Sequence, residues 1–341
     1  MTSLIEQAKR SRSGIPRFSS GSLALDLALG GGWPRGRCNL VVGKESSGKS
    51  TTTLLAARSI SQIDWETGQF GGFTKVLYVD MENTFDFDWA SNFGWDDRHD
   101  VVCPESGEMA SDIITEAIKS GEYGLIIGDS ADCFIPAKID ERSLQDGNMP
   151  GARAQLLNRS YQAWTSALRN LRVPPHKQPT ILMINQYRLT FGVMYGDPRV
   201  IPGGEGQKFY SSTIVTFNSP KIEDTKGVET AYIEISGNIR KNKTGLPKKN
   251  FTFKVGLRES EELHSGEVNN QKAIMDLLKN TEIRKIKSVY NFLGEEYKTQ
   301  KEISDRMKSD PAFMDKCWKL ALQVSNNQGP VTEVPGEQED G

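Results

Sequence analysis

The sequence is poor in the residues that usually bind metals or form disulfides. Its 341 residues include four cysteines and three histidines, and no two cysteines have the C-x-x-C spacing. Free thiols of a reducing compartment therefore explain the cysteines better than disulfides or a zinc site. The histidines His99, His176 and His264 are far apart as well. The sequence gives no support for a structural metal site.

Long apolar runs are also missing. No stretch approaches the roughly 20 consecutive apolar residues that cross a bilayer. The opening residues, Met-Thr-Ser-Leu-Ile-Glu-Gln, lack the apolar run of a signal peptide. We therefore expect no membrane partner and a cytoplasmic protein.

The net charge is close to neutral, so only the distribution of charge is informative. The formal net charge is −2. The acidic residues gather at the carboxyl end, and basic residues cluster in two earlier segments. The basic clusters consist of Arg240, Lys241, Lys243, Lys248 and Lys249, followed by Arg284, Lys285 and Lys287. Such clusters are either solvated faces or nucleic-acid sites, and the charge alone does not choose between them.

A phosphate-binding loop is the clearest motif. Residues 43–50 read Gly-Lys-Glu-Ser-Ser-Gly-Lys-Ser and match G-x-x-x-x-G-K-[ST] between an apolar run and a helical segment. The glycines let backbone amides converge on phosphates, Lys49 is expected to reach the outer phosphates, and the Ser50 hydroxyl is expected to contact Mg²⁺. The predicted nucleotide-binding residues are Gly43, Lys44, Glu45, Ser46, Ser47, Gly48, Lys49, Ser50 and Thr51.

Strands and helices alternate along most of the chain. The apolar runs at residues 76–79, 125–127 and 181–184 look like buried parallel strands, and each is followed by polar residues. From about residue 212 to 255, alternating runs predict antiparallel strands. The predicted fold class is α/β, with a doubly wound, mostly parallel sheet, an antiparallel extension and a small C-terminal α+β domain.

Changes in composition predict four segments. Residues 1–17 form a short N-terminal segment, and residues 18–261 form the α/β core. The sequence then becomes helical and charged, which predicts a small domain over residues 262–324. The Gly, Pro and acidic residues of 325–341 predict a disordered tail.

Polar residues follow the predicted parallel strands, where ligands bind in doubly wound sheets. Asp129 fits the carboxylate that holds Mg²⁺ in phosphate-loop ATPases, with a helix N-cap as the alternative. Glu82 is placed to polarise a water for attack on the terminal phosphate, and Asp80 is its rival. Asn185 and Gln186 offer neutral groups that can sense that phosphate, although Asn185 is also explained as an ordinary strand-end amide.

These blocks, in this order, resemble the RecA family of ATP-dependent strand-exchange recombinases, and the bacterial and phage members most. The resemblance runs from about Phe18 to Leu322. The matching blocks are residues 20–26, 43–51, 80–82, 127–130, 184–188, 191–196, 202–204, 208–210 and 241–243. It implies a DNA-dependent ATPase that binds ATP and Mg²⁺, forms filaments on single-stranded DNA and exchanges strands in recombination and DNA repair. The implied location is the cytoplasm of a bacterial or phage-infected cell.

The resemblance also implies roles for single residues in the nucleotide site. Glu82 corresponds to the catalytic carboxylate, Asp129 to the magnesium-side acid, and Gln186 to the residue that links the terminal phosphate to a DNA-binding loop. Asp86 and Trp89 fall where the family contacts adenine and stacks on it. The alternative for Trp89 is an ordinary aromatic of a helix core.

Two loops are implied to bind DNA, one at about residues 138–152 and one at about residues 187–207. The DNA-binding residues expected there are Arg142 and Met149 in the first loop and Arg188, Met194, Tyr195 and Arg199 in the second. Basic groups would follow phosphates, while Met and Tyr would stack on bases or wedge between them. A flexible surface loop is the alternative.

Lys241 and Lys243 imply an active site shared between subunits. In the family, lysines at these positions reach the neighbour's terminal phosphate, in the manner of a trans arginine. Lys208 and Phe209 lie at the same boundary. Head-to-tail contacts that do not close produce a helical filament. With Lys49, Glu82 and Gln186, the two lysines complete the expected catalytic set.

The resemblance also suggests the partners of each segment. They are single-stranded DNA at the loops, double-stranded DNA at the C-terminal domain, further copies of the chain through the core and N-terminal segment, and single-strand-binding and loader proteins. Two departures are that Lys44 stands where bacterial members usually have Pro, and that the N-terminal segment is short. The alternatives are a hexameric helicase with a RecA fold and a regulatory recombinase paralogue.

Overall fold

The structure is a computed structural model that describes residues 14–137, 151–189, 199–225, 227–246, 249–261, 263–279, 281–286 and 288–327. The chain divides into two compact units, the first ending at Val268 and the second beginning at Asn269. Most of the predicted N-terminal segment and of the predicted tail lies outside the described residues.

The first unit contains helices and strands that alternate along the chain. Its helices are α1 (Leu23–Leu29), α2 (Lys49–Ser61), α3 (Phe87–Ser91), α4 (Gly107–Ser120), α5 (Ala152–Asn170) and α6 (Glu205–Tyr210). Its strands are β1 (Arg17–Phe18), β2 (Trp33–Pro34), β3 (Cys38–Gly43), β4 (Lys75–Asp80), β5 (Asp100–Val102), β6 (Tyr123–Asp129), β7 (Thr180–Gln186), β8 (Arg188–Leu189), β9 (Arg199–Val200), β10 (Thr213–Phe217), β11 (Lys221–Thr225), β12 (Val228–Asn242) and β13 (Asn250–Gly256). Short 3-10 turns lie at Ala131–Cys133 and Pro175–Lys177.

Nine strands form the central sheet in the order β11-β12-β10-β3-β7-β6-β4-β5, with β13 also paired to β12. The pairs from β10 to β5 are parallel, whereas β12 is antiparallel to β10, β11 and β13. This arrangement confirms the predicted doubly wound sheet with its antiparallel extension. The register sets Gly43 opposite Gln186 and Asp80 opposite Asp129, so the predicted site residues share one edge.

The parallel strands are buried on both faces. On β3, Val41 packs into one apolar core with α1 and α2, while Leu40 and Val42 pack into the other with α4 and α5. Side chains alternate between the faces of a strand, so a run that is apolar at every position suits a strand covered by helices on both sides. This explains why the buried strands show no alternation in the sequence.

Local signals fix the ends of the flanking helices. The Ser22 side chain accepts a hydrogen bond from the Leu25 amide at the start of α1, and Ser106 accepts one from the Met109 amide at the start of α4. Ser is a favoured N-cap because its oxygen satisfies an amide that has no partner within the helix. These caps define where α1 and α4 begin.

The segment from Leu263 to Val268 belongs to the first unit because it folds back on β13. The Gly256 amide donates to the Glu267 carbonyl at 2.9 Å, and the Gly266 amide donates to the Gly256 carbonyl at the same distance. Val268 forms a bridge with Val255.

The second unit is an α+β domain, as predicted. It contains α7 (Asn270–Leu278), β14 (Arg284–Ile286), β15 (Val289–Phe292), β16 (Glu295–Tyr297), α8 (Gln300–Ser309) and α9 (Pro311–Asn327). The three strands form one antiparallel sheet. The helical and charged pattern of this region does not mark its individual strands, and all three residues of β14 are exposed.

Candidate active site

The phosphate loop connects β3 to α2 through a turn that requires glycine. Gly48 has a φ of 86°, in the left-handed region, and α2 begins directly after it. A Cβ atom on Gly48 would lie 2.6 Å from Ile235 Cδ1, and one on Gly43 would collide with the Ser47 side chain. Both glycines therefore allow the backbone to pack closely, which a cradle of converging amides needs.

The loop has the features of a site for phosphate. Lys49 is buried, and its Nζ donates to the Lys44 carbonyl at 2.6 Å, so the ammonium lies over the loop. Burial lowers the pKa of Lys49, while Asp129 and Glu82 act in the opposite direction. Ser47 Oγ is buried and has no hydrogen-bond partner among the described residues. These donors and this charge fit a polyphosphate group.

Asp129 faces the loop at the end of β6. Its Oδ2 accepts hydrogen bonds from Ser50 Oγ at 3.0 Å and from the Tyr78 hydroxyl at 2.6 Å. Burial raises the pKa of Asp129 to about 6, and the hydrogen bond from Tyr78 acts against that rise. A buried carboxylate beside a loop hydroxyl is a suitable ligand set for a hard cation such as Mg²⁺.

Tyr78 is a site residue that the sequence did not reveal. It lies inside the apolar run of β4, is 4% exposed, and its pKa is raised well above the usual range by burial and by Asp129. The tyrosine in a strand predicted to be fully buried could have indicated it, because a buried hydroxyl usually requires a hydrogen-bond partner.

Glu82 lies between the ends of three strands. Its Oε1 accepts hydrogen bonds from Ser130 Oγ at 2.5 Å and from Gln186 Nε2 at 3.3 Å. The rival Asp80 has both oxygens occupied by backbone amides, with Oδ1 accepting from Glu82 and Oδ2 from Thr84. Asp80 therefore shapes the turn that presents Glu82, and action on water remains a prediction for Glu82.

Asn185 links β7 to the segment that precedes α6. It is fully buried, and its Nδ2 donates to the Pro202 carbonyl at 3.1 Å and to Gln207 Oε1 at 2.8 Å. Its Oδ1 accepts from the Gln186 amide at 2.8 Å. These contacts agree with the strand-end interpretation of Asn185. Gln207, which completes the link, was not recognised in the sequence.

Asp86 and Trp89 lie at the start of α3. The Asp86 side chain caps the helix by accepting from the Trp89 amide at 2.9 Å. Trp89 is half-buried, and its ring meets the Phe93 ring edge-on at a centroid distance of 5.2 Å. Each residue thus has a local structural role, and adenine contact remains a prediction for both.

The four residues expected at a subunit boundary form one cluster within the chain. Lys241 Nζ donates to the carbonyl of Lys208 and, at 3.1 Å, to that of Phe209, and Lys243 Nζ donates to the Phe209 carbonyl at 3.0 Å. These carbonyls lie in the last turn of α6, where the helix dipole favours cations. Burial and the neighbouring Lys243 lower the pKa of Lys241 to about 8. The Phe209 side chain is 68% exposed.

Comparison with known proteins decides the family. The RecA N-terminal domain family matches residues 1–260. The chain belongs to the RecA family. It is 32% identical to Protein RecA of Nocardioides sp. over 336 residues, which cover 96% of this chain and 89% of the relative. Protein RecA of Streptomyces venezuelae is 31% identical over 92% of this chain and 77% of its own length. Protein RecA of Mesomycoplasma hyopneumoniae is 33% identical over 72% of this chain and 70% of its own length.

Two of the six DNA-binding residues expected in this RecA-family chain are described. Arg188 lies on β8 and donates from Nη2 to Asp132 Oδ2 at 2.6 Å. Arg199 lies on β9, which pairs with β8, and its guanidinium lies 5.4 Å from the centre of the Tyr187 ring. The remaining four, Arg142, Met149, Met194 and Tyr195, lie outside the described residues.

Two features are absent from the described part of this RecA-family chain. No cluster of three or more His, Cys, Asp or Glu side chains there is arranged to hold a metal ion. Within the same ranges, no helix combines the length and the apolar character needed to cross a membrane.

Proposed function

We propose that this RecA-family chain is an ATP-dependent homologous recombinase that forms filaments on single-stranded DNA and catalyses homologous pairing and strand exchange in recombination and DNA repair. One observation carries the proposal. Glu82 accepts a hydrogen bond from the Gln186 side chain, and Arg188 on β8 follows Gln186 by two residues. A carboxylate suited to ATP hydrolysis is therefore hydrogen-bonded to the residue at which a segment suited to nucleic-acid binding begins.

The phosphate loop and the strand ends would hold ATP with Mg²⁺. Lys49 and the loop amides would bind the phosphates, and Ser50 and Asp129 would hold the cation, which neutralises phosphate charge when bound. Asp86, the N-cap of α3, and Trp89 in its first turn would supply a carboxylate and a π face for adenine. The described geometry fits this ligand pair because the loop hydroxyl and the acid already meet at 3.0 Å.

Glu82 would take a proton from the attacking water. Its Oε1 is held by Ser130 and Gln186, so the carboxylate is oriented before substrate arrives. Such orientation lowers the entropic cost of bringing a base within hydrogen-bond reach of water. Gln186 would also change its contacts when the terminal phosphate is lost, and this change would be passed to the segment that follows it.

Assembly would complete the site. Lys241 and Lys243 rest on carbonyl groups of α6 in the single chain, and in a filament we expect them to reach the terminal phosphate of the neighbour. Lys208 and Phe209 would lie at the same interface, where the exposed Phe209 ring gains a partner. A head-to-tail contact of this kind, repeated without closure, builds a helical filament.

DNA would bind to two surfaces. Arg188 and Arg199, with the residues expected in the two loops, would follow a single strand. In the second unit, Arg284 and Lys285 lie on the exposed strand β14 and would contact duplex DNA through its phosphates. Single-strand-binding and loader proteins are the further partners we expect.

The test combines ATP hydrolysis with strand exchange. Wild-type protein should hydrolyse ATP faster with single-stranded DNA and exchange strands, whereas Glu82→Gln should bind ATP without turning it over. Glu116→Gln is the matched control, because Glu116 is an exposed acid of α4 paired with Lys119. Wild-type hydrolysis that does not respond to single-stranded DNA would contradict the proposal. Closed six-fold rings in micrographs, instead of extended filaments, would favour the helicase alternative.

A further inference from the structure

Asp132 is bound by two arginines from different parts of the chain. It lies in the 3-10 turn directly after β6. Its Oδ1 accepts a hydrogen bond from Arg153 Nη1 at 2.6 Å, and its Oδ2 accepts one from Arg188 Nη2 at 2.6 Å. The Asp132 side chain is 19% exposed. Each carboxylate oxygen is therefore engaged by one guanidinium, in charge-assisted bonds of the strong class.

The two arginines lie at the bases of the two segments expected to bind DNA. Arg153 is in the first turn of α5, which follows residues 138–150, and Arg188 is on β8, which precedes residues 190–198. The first turn of α5 contains no acidic residue, and its N-cap is Gly151, which has no side chain to cap the helix. A single carboxylate between two guanidiniums at this helix end leaves the cluster with a net positive charge.

We propose that Arg153 and Arg188 form a binding site for one backbone phosphate of single-stranded DNA, and that Asp132 occupies this site when DNA is absent. The inference rests on the proposed function. A carboxylate and a phosphodiester each carry one negative charge on two outer oxygens, so both match a pair of guanidinium donors. DNA must therefore displace Asp132 from the arginines in order to bind there.

The same turn also faces the nucleotide site. Ser130, which is bonded to Glu82, closes the turn by accepting from the Cys133 amide at 3.0 Å. Gln186, which is also bonded to Glu82, lies two residues before Arg188 on the same chain. Hydrogen bonds therefore connect the ends of β6 and β7 in two places. One connection passes through Glu82, and the other joins Asp132 to Arg188. Asp132 would therefore compete with DNA for the two arginines close to Glu82, which is expected to act on ATP.

The test measures how tightly the full chain binds a labelled oligo(dT) by fluorescence anisotropy, with Mg²⁺ and a slowly hydrolysed ATP analogue. Asp132→Asn should bind about tenfold tighter than wild type and show a steeper dependence on salt, because the arginines become free for phosphate. Arg153→Gln should bind more weakly, and adding it to Asp132→Asn should remove the gain. Asp132→Ser also removes the charge and is measured in parallel, so that misfolding of one variant leaves the comparison intact.

Asp96→Asn is the matched control, because it changes the net charge equally and breaks another aspartate–arginine pair, that of Asp96 with Arg98. It should leave the affinity within about twofold of wild type. Equal or weaker binding by the Asp132 variants, or an equal gain in Asp96→Asn, would overturn the inference while the proposed function stands. Failure of wild-type protein to bind oligo(dT) at all would instead overturn the proposed function.

Discussion

The carboxylates expected on the nucleotide side of the proposed site, Glu82 and Asp129, are held by side chains, whereas the two lysines expected on its other side are held by backbone carbonyls. Asp129 is bonded to Ser50 and Tyr78, and it is buried. Lys241 and Lys243 donate to carbonyls at the end of α6. Among the residues that the structure describes, neither lysine forms an ion pair with an acid.

This difference indicates that the two sides are prepared for different events. Side-chain bonds within a buried network fix the carboxylates before any ligand binds. Bonds from an ammonium to exposed carbonyls are exchanged readily for a stronger anionic partner, such as a phosphate. The first side is therefore organised within one chain, whereas under the proposed function the second is expected to change partner on assembly.

The largest effect should come from removing the lysine side. The double variant Lys241→Ala and Lys243→Ala should lower DNA-stimulated ATP hydrolysis about a thousandfold, because the charge stabilising the terminal phosphate is lost. Nucleotide binding by the monomer should persist. The double variant Lys221→Ala and Lys254→Ala is the control, since these lysines pair with Glu234 and Glu223 in the sheet extension. Unchanged turnover in the first variant would refute the shared site.

Mixing two inactive variants tests the same comparison directly. Glu82→Gln retains the lysine side, and the Lys241→Ala, Lys243→Ala variant retains the carboxylate side. In a filament of equal parts, about a quarter of the interfaces join two intact sides, so activity should return to about that fraction of wild type. A mixture as inactive as its components would show that each site lies within one chain.

Removing the charge of Asp129 should have an effect of intermediate size on the thermal stability of the nucleotide-free protein. The pKa of Asp129 is raised to about 6, so its ionised form destabilises the fold as pH rises towards neutrality. Asp129→Asn should therefore raise the midpoint of thermal unfolding by about 5 °C at pH 7.5, and the gain should shrink as pH falls towards 4. Asp100→Asn should have the opposite sign, because Lys75 and Tyr123 lower the pKa of Asp100 although burial opposes this. A gain that is independent of pH would contradict the assignment.

The smallest effect concerns Tyr78. Tyr78→Phe should raise the Mg²⁺ concentration needed for half-maximal binding of a fluorescent ATP analogue about fivefold, because Asp129 loses an orienting hydrogen bond. The control is Tyr123→Phe, which removes a phenol bonded to Asp100 at 2.5 Å on the same sheet. An equal shift in both variants would mean that the effect arises from the sheet and not from the site.

The sequence alone predicted those parts of the fold and site that are marked by neighbouring residues in the chain. The apolar runs predicted the parallel strands because burial on both faces demands apolar residues at every position. The convergence of Glu82, Asp129 and Gln186 followed from that prediction, since parallel strands end at one edge. The phosphate loop was evident because its glycines are required by close packing against Ser47 and Ile235.

Contacts that depend on tertiary position were not accessible from sequence. Tyr78 differs from Phe by one hydroxyl within an apolar run, and its partner Asp129 lies on another strand. The pairing of Asp132 with Arg153 and Arg188 depends on where two chain segments return to the sheet. The acceptors of Lys241 are backbone carbonyls, which have no signature in a sequence.

Strand β12 has a consequence for the timing of hydrolysis. It is 15 residues long, about 50 Å when extended. Its Ile235 packs under Gly48 of the phosphate loop, and Lys241 and Lys243 lie near its far end. In a filament built as proposed, one strand would pack against the phosphate loop of its own subunit and supply charge to the nucleotide of the next. Turnover events would then be correlated between adjacent subunits, and ATP would be consumed in runs along the filament instead of at random positions.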